Sequence, residues 1–224
     1  MYSRSVLITE TDENYLKETY ALQNEHEQVT TSMLVARFGT SPATVTGMLK
    51  KMAHRQWVIY EPYHGIRLTD AGKAIALEVV RHHRLLETYL AEAMGIPWDR
   101  VHEEAERLEH VLSDYLEQRI DELLGHPTYD PHGQPIPAAD GSIAESNRVR
   151  LSEVPAGTRA EISEVSDRDP DLLIHVTTLG LRLHTRLVVL HTEPVDQLIT
   201  IEVENRQLVI GNRTARHIFV TSLT

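Results

Sequence analysis

The chain contains no cysteine, and this absence removes disulfides, thiolate zinc sites, iron–sulfur clusters and cysteine nucleophiles together. Any metal it binds must be held by nitrogen and oxygen. Long apolar runs are missing too: no stretch approaches the length of a membrane span, and the opening segment MYSRSVLITETDENYLKE has no apolar signal core. A cytoplasmic protein without membrane contact is expected. The sequence also lacks a glycine-rich phosphate loop, a G-x-S-x-G elbow and an H-E-x-x-H helix, which makes an enzyme the minority expectation. Positive charge is scarce, with 22 Lys and Arg against 33 Asp and Glu and a formal net charge of −11. Such a chain is, as a whole, a poor match to a polyanion. The deficit is uneven, however, because between Gln28 and Asp70 five basic residues (Arg37, Lys50, Lys51, Arg55, Arg67) face only Glu61 and Asp70.

What is present is ordinary globular material: 224 residues, 41% hydrophobic and 25% charged, enough for one large domain or two small ones. Tyr15, Leu16, Tyr20 and Leu22 predict a first helix between Asp12 and Glu25. TTSMLVARF predicts a second, capped by Thr31 or Ser32 and ended at Gly39, where a chain reversal is cheap. A third starts with Ser41 as N-cap and Pro42 at the first helical position, where its missing N–H costs nothing. WVIYEPYHGIRLT then reads as a hairpin turning at Pro62 to Gly65. Helix, short turn, helix and hairpin together form a winged arrangement, with the third helix suited to a major groove and the hairpin tip to phosphates. Ser41, Ala43, Thr44 and Gly47, with Pro42 and Thr46 beside them, would face base edges; Arg37, Lys50, Lys51, Arg55 and His64 would meet the backbone. Side chains this small favour contacts to thymine methyls and shape readout. A solvated face is the bland alternative for the basic residues.

Thr69 can cap a long helix that closes at Gly95, and Pro97 and Asp99 open another that runs to Gly125. At about 100° per residue, this last helix gathers His102, Glu106, Glu109 and His110 within roughly a third of its circumference or less. His83 and Glu87 are i,i+4 neighbours on the helix before. Six such residues on successive helices suit a divalent ion; imidazole with carboxylate fits manganese, ferrous iron, cobalt or zinc, and the carboxylate weight tilts toward manganese or iron. A charged surface remains the alternative for each residue singly. Four prolines between Pro127 and Pro137 forbid helix and give the stretch GHPTYDPHGQPIPAADGSIAESN a linker-like composition. From Leu151 onward GTRAEISEV, RLVVLHT, LITIEVENRQLVIG and HIFVTSL alternate as short strands do, which predicts a small all-β domain, a barrel.

The segments ENYLKETY, SPATVTGMLKKM, HHRLLETYL, VHEEAERLEHVLS and GHPTYDPHGQPIP, followed by LSEVPAGTRAEI, occur in one order along nearly the whole chain. In this the sequence resembles the metal-dependent transcriptional repressors of the diphtheria toxin repressor and manganese transport regulator type. The resemblance implies a mainly α protein: a winged helix-turn-helix over 1–75, a helical metal-binding and dimerisation domain over 76–137, a linker over 138–150, and an SH3-like FeoA-type barrel over 151–224. It implies a homodimer on palindromic double-stranded operator DNA. It also implies activation by Mn2+ or Fe2+ at two sites per subunit, and control of metal homeostasis genes. Carried over by position, Glu106, Glu109 and His110 match the primary-site ligands, and His83, Glu87 and His102 the ancillary ones. Glu106 stands where iron-type members place cysteine and manganese-type members glutamate, which points to manganese. Asn14 fills the slot of a first-helix methionine or aspartate, with Glu13 as its substitute, and Lys17 stands where manganese-type members carry a second glutamate. The barrel can donate a ligand in iron-type members, and Asp169 is the nearest candidate. The competing readings are a metal-independent winged-helix regulator and, third, a binuclear metal enzyme.

Overall fold

The computed structural model describes residues 8–61, 65–144, 147–193 and 195–223. Its packing gathers into two compact units, one of Met1–His83, Glu109–Leu112 and Pro137–Ser142, the other of Arg84–Leu108, Ser113–Ile136 and Ile143–Thr224. Among the described residues no helix is long and apolar enough to cross a membrane.

In the first unit, α1 (Glu10–Glu25) opens at Thr9, whose hydroxyl accepts from the Asp12 N–H while Asp12 returns the bond, a reciprocal capping box. α2 (Thr31–Phe38) is capped by Thr30, one residue ahead of the expected Thr31 or Ser32, and stops at Gly39 in the left-handed region. α3 (Pro42–His54) starts as its sequence dictates, with Ser41 as cap and Pro42 in the first turn. β1 (Val58–Glu61) pairs antiparallel with β2 (Gly65–Leu68), Val58 opposite Leu68, and Ile66 forms a further bridge to Val29. The expected turn falls largely on residues 62–64, so it and the expected phosphate contact His64 lie outside the described residues. Leu16, Leu34, Val45, Leu49, Met52 and Ile66 fill the centre with no appreciable exposure; each such side chain contributes about 1.5–3 kcal/mol of transfer free energy. α4 (Asp70–Glu92) begins here, with Gly72 N donating to Thr69 Oγ1. A Cβ at Gly72 would lie 2.0 Å from the Trp57 carbonyl oxygen, so only glycine fits.

The second unit takes α4 from Arg84 and contains α5 (Trp98–Leu108) and α6 (Asp114–Leu123). The single helix expected to run from Asp99 to Gly125 is therefore two. Ser113 is the reason: its side chain accepts from Leu116 N and starts a new helix with Asp114 and Glu117 in the first turn, where carboxylates suit the dipole. Glu109 and His110 consequently sit in the turn between the two helices, and the predicted four-residue stripe is divided.

The proline-rich stretch is folded as well. Asp130 Oδ1 accepts the N–H groups of His132 and Gln134, Tyr129 bridges Pro135, and Val165 N donates to the His132 carbonyl. Gly133 has φ +84°, and a Cβ there would lie 2.0 Å from Ser163 O. Composition alone cannot separate a solvated linker from prolines packed against a strand.

Beyond it come β3 (Val149–Arg150), a 3₁₀ turn over Leu151–Glu153, β4 (Arg159–Val165), α7 (Pro170–Thr178), β5 (Arg186–Glu193), β6 (Leu198–Val203), β7 (Arg206–Gly211), α8 (Asn212–Ala215) and β8 (Ile218–Ser222). The strands form one antiparallel sheet in the order β3-β8-β4-β5-β6-β7. LITIEVENRQLVIG is not one strand but the β6–β7 hairpin, reversed at Glu204 and Asn205 with φ 49° and 62°. α7 was not foreseen, although Asp169 capping and Pro170 at the helix start repeat the Ser41–Pro42 signal. Its Leu172, Leu173 and Val176 share a core with Ile162, Val189, Ile201 and Ile218.

Candidate metal centres and nucleic-acid interface

Within the first unit, the 109–110 turn meets α1 and α4. Glu109 is 1% exposed. His83 Nδ1 donates to its Oε2 at 2.5 Å and Lys17 Nζ to its Oε1 at 2.6 Å. Burial alone would raise the Glu109 carboxyl, but His83 and Lys17 overcome it and hold the group below the usual carboxylate range. His110 is the hub beside it: Nδ1 donates to Glu13 Oε2 at 2.6 Å, while Nε2 faces Asn14 Oδ1 at 3.1 Å and Glu109 Oε1 at 3.3 Å. Burial pulls its pKa down, yet Glu13 and Glu109 raise it above the ordinary histidine value. Oxygen atoms thus close around positive charge from two sides. The Lys17 ammonium supplies such charge at Glu109, and the Nε2 side of His110, with Asn14 and Glu109, offers nitrogen and oxygen donors of the type that hold a divalent ion. Both α1 candidates reach His110, Glu13 at Nδ1 and Asn14 at Nε2.

Asp12 continues the line of contact. Fully buried, it accepts from Lys51 Nζ at 2.8 and 3.1 Å and from Arg55 at 3.1 Å, both from the C-terminal part of α3. Burial would raise the Asp12 carboxyl, but Lys51 and Thr9 outweigh it and the pKa is lowered. Adjacent residues of α1 therefore hold His110 on one side and α3 on the other. Ser41, Pro42, Ala43, Thr44, Gly47 and Lys50 are exposed on α3 and Thr46 is half-buried. Lys51 and Arg55, expected as backbone contacts, are turned to Asp12, and Arg37 is turned to Glu18 at 3.0 Å and Glu25 at 3.7 Å.

The second unit holds a separate cluster. Glu87 of α4, His102 of α5 and Asp167, between β4 and α7, offer ligand atoms within 4.8 Å of one another. His102 Nδ1 lies 3.2 Å from Glu87 Oε1 and 3.4 Å from Asp167 Oδ2. Burial opposes the charge on His102, but Asp167 and Glu87 raise its pKa to about 10, and Asp167 is held well below the usual range by His102 against its own burial. Glu106, one turn past His102, is half-exposed with Oε1 3.9 Å from His102 Nε2. The carboxylate that the structure places beside His102 is Asp167; Asp169, the expected candidate, caps α7 and pairs with Arg213 at 3.3 Å. The Asp-Pro dipeptide was the available clue, since it marks a helix start. Asp130 and His132 of the proline-rich loop were also missed as site residues, and both are buried, as is Glu87.

Comparison with known proteins places this geometry. Residues 7–66 match the family described as "Iron dependent repressor, N-terminal DNA binding domain", 69–138 "Iron dependent repressor, metal binding and dimerisation domain", and 149–222 "FeoA domain". The iron-dependent repressor IdeR of Mycobacterium leprae is 32% identical over 206 residues, covering 87% of this chain and 89% of its own. Among solved structures, a manganese-dependent transcriptional repressor in complex with manganese has a TM-score of 0.90 at 37% identity, covering 95% of this chain and 100% of its own. The manganese regulator SloR has 0.81 at 29%, covering 95% and 98%. The chain belongs to the metal-dependent transcriptional repressors of the diphtheria toxin repressor and manganese transport regulator family.

Proposed function

We propose that this chain acts as a metal-activated homodimeric regulator in the cytoplasm, that manganese or ferrous iron is its activating ion, and that two winged helices engage a palindromic operator. DNA contact is assigned to residues 1–75, metal and dimer contacts to 76–137, a connection to 138–150 and an accessory barrel to 151–224. The observation that carries the reading is His110, which joins the Glu109 turn to Glu13 and Asn14 of the helix whose Asp12 holds α3.

Two ligand groups follow. Asn14, Glu109 and the Nε2 side of His110 form one, with Glu13 holding Nδ1, and Glu87, His102 and Asp167 form another; the family pattern adds His83 and Glu106 to the ligands. A bound divalent ion supplies two positive charges and fixed coordination directions, with no reaction catalysed. To hold an ion, the first group would have to free the Glu109 oxygen now bonded to Lys17 and leave a His110 nitrogen without its proton. Glu13 and Asn14 are then held to the turn, which fixes α1 and, through Asp12, the orientation of α3. With α1 held in this way, the population would shift toward the arrangement that fits DNA. The exposed Ala43, Thr44 and Gly47 lie against base edges, and Lys50 lies against phosphate. Tyr115, Leu116 and Leu123 of α6, exposed by 75%, 49% and 68%, suit the dimer contact.

Fluorescence anisotropy on duplex DNA from the protein's own upstream region tests the reading, in chelator and then with manganese, ferrous iron or zinc, alongside Glu106→Ala. Binding that needs metal and is lost in the variant is the expected result. Equal binding in chelator would overturn it.

A further inference from the structure

The second unit contains a group of buried donors that the ligand sets above leave unused. His132 is fully buried and Asp130 is 5% exposed, both on the loop that Gly133 presses against β4. His132 Nε2 donates to the Trp98 carbonyl at 2.7 Å, and the ring stacks on the Trp98 indole at a centroid distance of 5.8 Å. A carbonyl can only accept, so Nε2 carries a proton and Nδ1 is the nitrogen turned toward the carboxylates. Metal-ligating histidines are commonly oriented by such a bond from the other nitrogen.

Nδ1 points at Glu87 Oε2, 3.4 Å away, without the alignment of a hydrogen bond. Asp130 uses Oδ1 for its two backbone bonds, while Oδ2 is buried with no hydrogen-bond partner among the described residues. The nearest cation, Arg84, places Nε 3.7 Å from Oδ2 and directs its terminal nitrogens to Pro135 O at 2.5 Å and Gln134 Oε1 at 2.7 Å. Ligand atoms of Glu87, Asp130 and His132 lie within 4.8 Å of one another. Glu87 therefore turns Oε1 toward His102 and Oε2 toward His132.

We propose that Glu87, Asp130 and His132 form a further divalent-cation site, taking manganese, ferrous iron or zinc through one nitrogen and two carboxylates, with Glu87 bridging it to the His102–Asp167 group. Asp130 Oδ2, buried without a hydrogen-bond partner among the described residues, and His132 Nδ1, which meets Glu87 Oε2 at 3.4 Å without a hydrogen bond, carry this inference, because buried polar atoms are costly unless a ligand completes them. The site rests on the metal-binding reading above and adds an ion to it.

The test is the metal content of the full-length dimer, stripped by chelator and reloaded with manganese or zinc, for wild type, Asp130→Asn and His132→Gln. Asn keeps an oxygen for the backbone bonds. Each variant is expected to hold one ion fewer per chain, and equal content in all three overturns the proposal. Wild-type crystals soaked in zinc give a readout free of any folding defect in the variants: an anomalous peak about 2.0–2.1 Å from His132 Nδ1 is expected, and its absence overturns the site. If wild type binds no metal anywhere, the regulatory reading falls as well; ions at His110 and His102 without one at His132 remove this proposal alone.

Discussion

Replacing Glu109 by Gln removes one charge from a site that has almost no access to water. Its oxygens are 2.5 Å from His83 Nδ1 and 2.6 Å from Lys17 Nζ, and Lys17 itself is only 9% exposed. Removing one partner of a buried ion pair costs about 3–5 kcal/mol, chiefly because the other charge is stranded. His83 can shed its proton and soften the loss, which places the expected cost near the lower end, about 3 kcal/mol. For a chain of this size each kcal/mol moves the midpoint by about 2–4 °C, so thermal unfolding in chelator, followed by circular dichroism, should fall by about 6–12 °C. Adding Lys17→Met should recover part of this, because it removes the buried ammonium that faced Glu109. Metal then separates the variants further: an ion at a hundred times its Kd stabilises the native state by about 2.7 kcal/mol, a gain that Glu109→Gln should lose at its own ligand group while keeping it at the His102–Asp167 group. A variant within about 1 °C of wild type in chelator, or a double variant no better than the single, would refute the reasoning that Glu109 is a charged hub.

Asp12→Asn should weaken DNA binding at saturating metal while leaving metal content unchanged, and lower stability by about 1–3 kcal/mol; anisotropy and chemical denaturation read the two effects. The sign with pH follows from its lowered pKa: the Asp12 contribution is whole above the unfolded carboxylate value and is lost as pH falls through the folded value below it, so the stability gap between wild type and Asp12→Asn should be full at neutral pH and close in acid. Gly133→Ala meets both a φ of +84° and the Ser163 carbonyl, and differential scanning calorimetry should show a loss of about 2 kcal/mol or more. Leu123→Glu on α6 should shift the dimer toward monomer in analytical ultracentrifugation and weaken operator binding with it, while an unchanged sedimentation coefficient would move the dimer contact elsewhere.

Much of the fold is legible because its decisive residues act locally. Ser41 with Pro42, Gly39 and Thr69 specify helix ends from their own chemistry, and the structure follows them. Where the reading failed, a local signal was outvoted by a longer pattern. Apolar and charged periodicity across 99–125 concealed Ser113, and alternation across 198–211 concealed the Glu204–Asn205 reversal. The site divides in the same way. His83, Glu87, His102, Glu106, Glu109 and His110 stand out at helical spacing, whereas Asp167 and His132 become neighbours of Glu87 and His102 only through the folding of distant loops. The roles of Lys51 and Arg37 were equally invisible, because which carboxylate a cation meets depends on how α1 crosses α2 and α3.

The central claim is that metal and DNA binding are coupled through one protein, and coupling is reciprocal. The most direct test is titration calorimetry of manganese into the full-length dimer, with and without saturating duplex from its own upstream region. The account predicts tighter metal binding in the presence of DNA, by the same factor by which manganese tightens DNA binding, and no difference in His110→Ala. Equal manganese affinity with and without DNA in the wild type would contradict it.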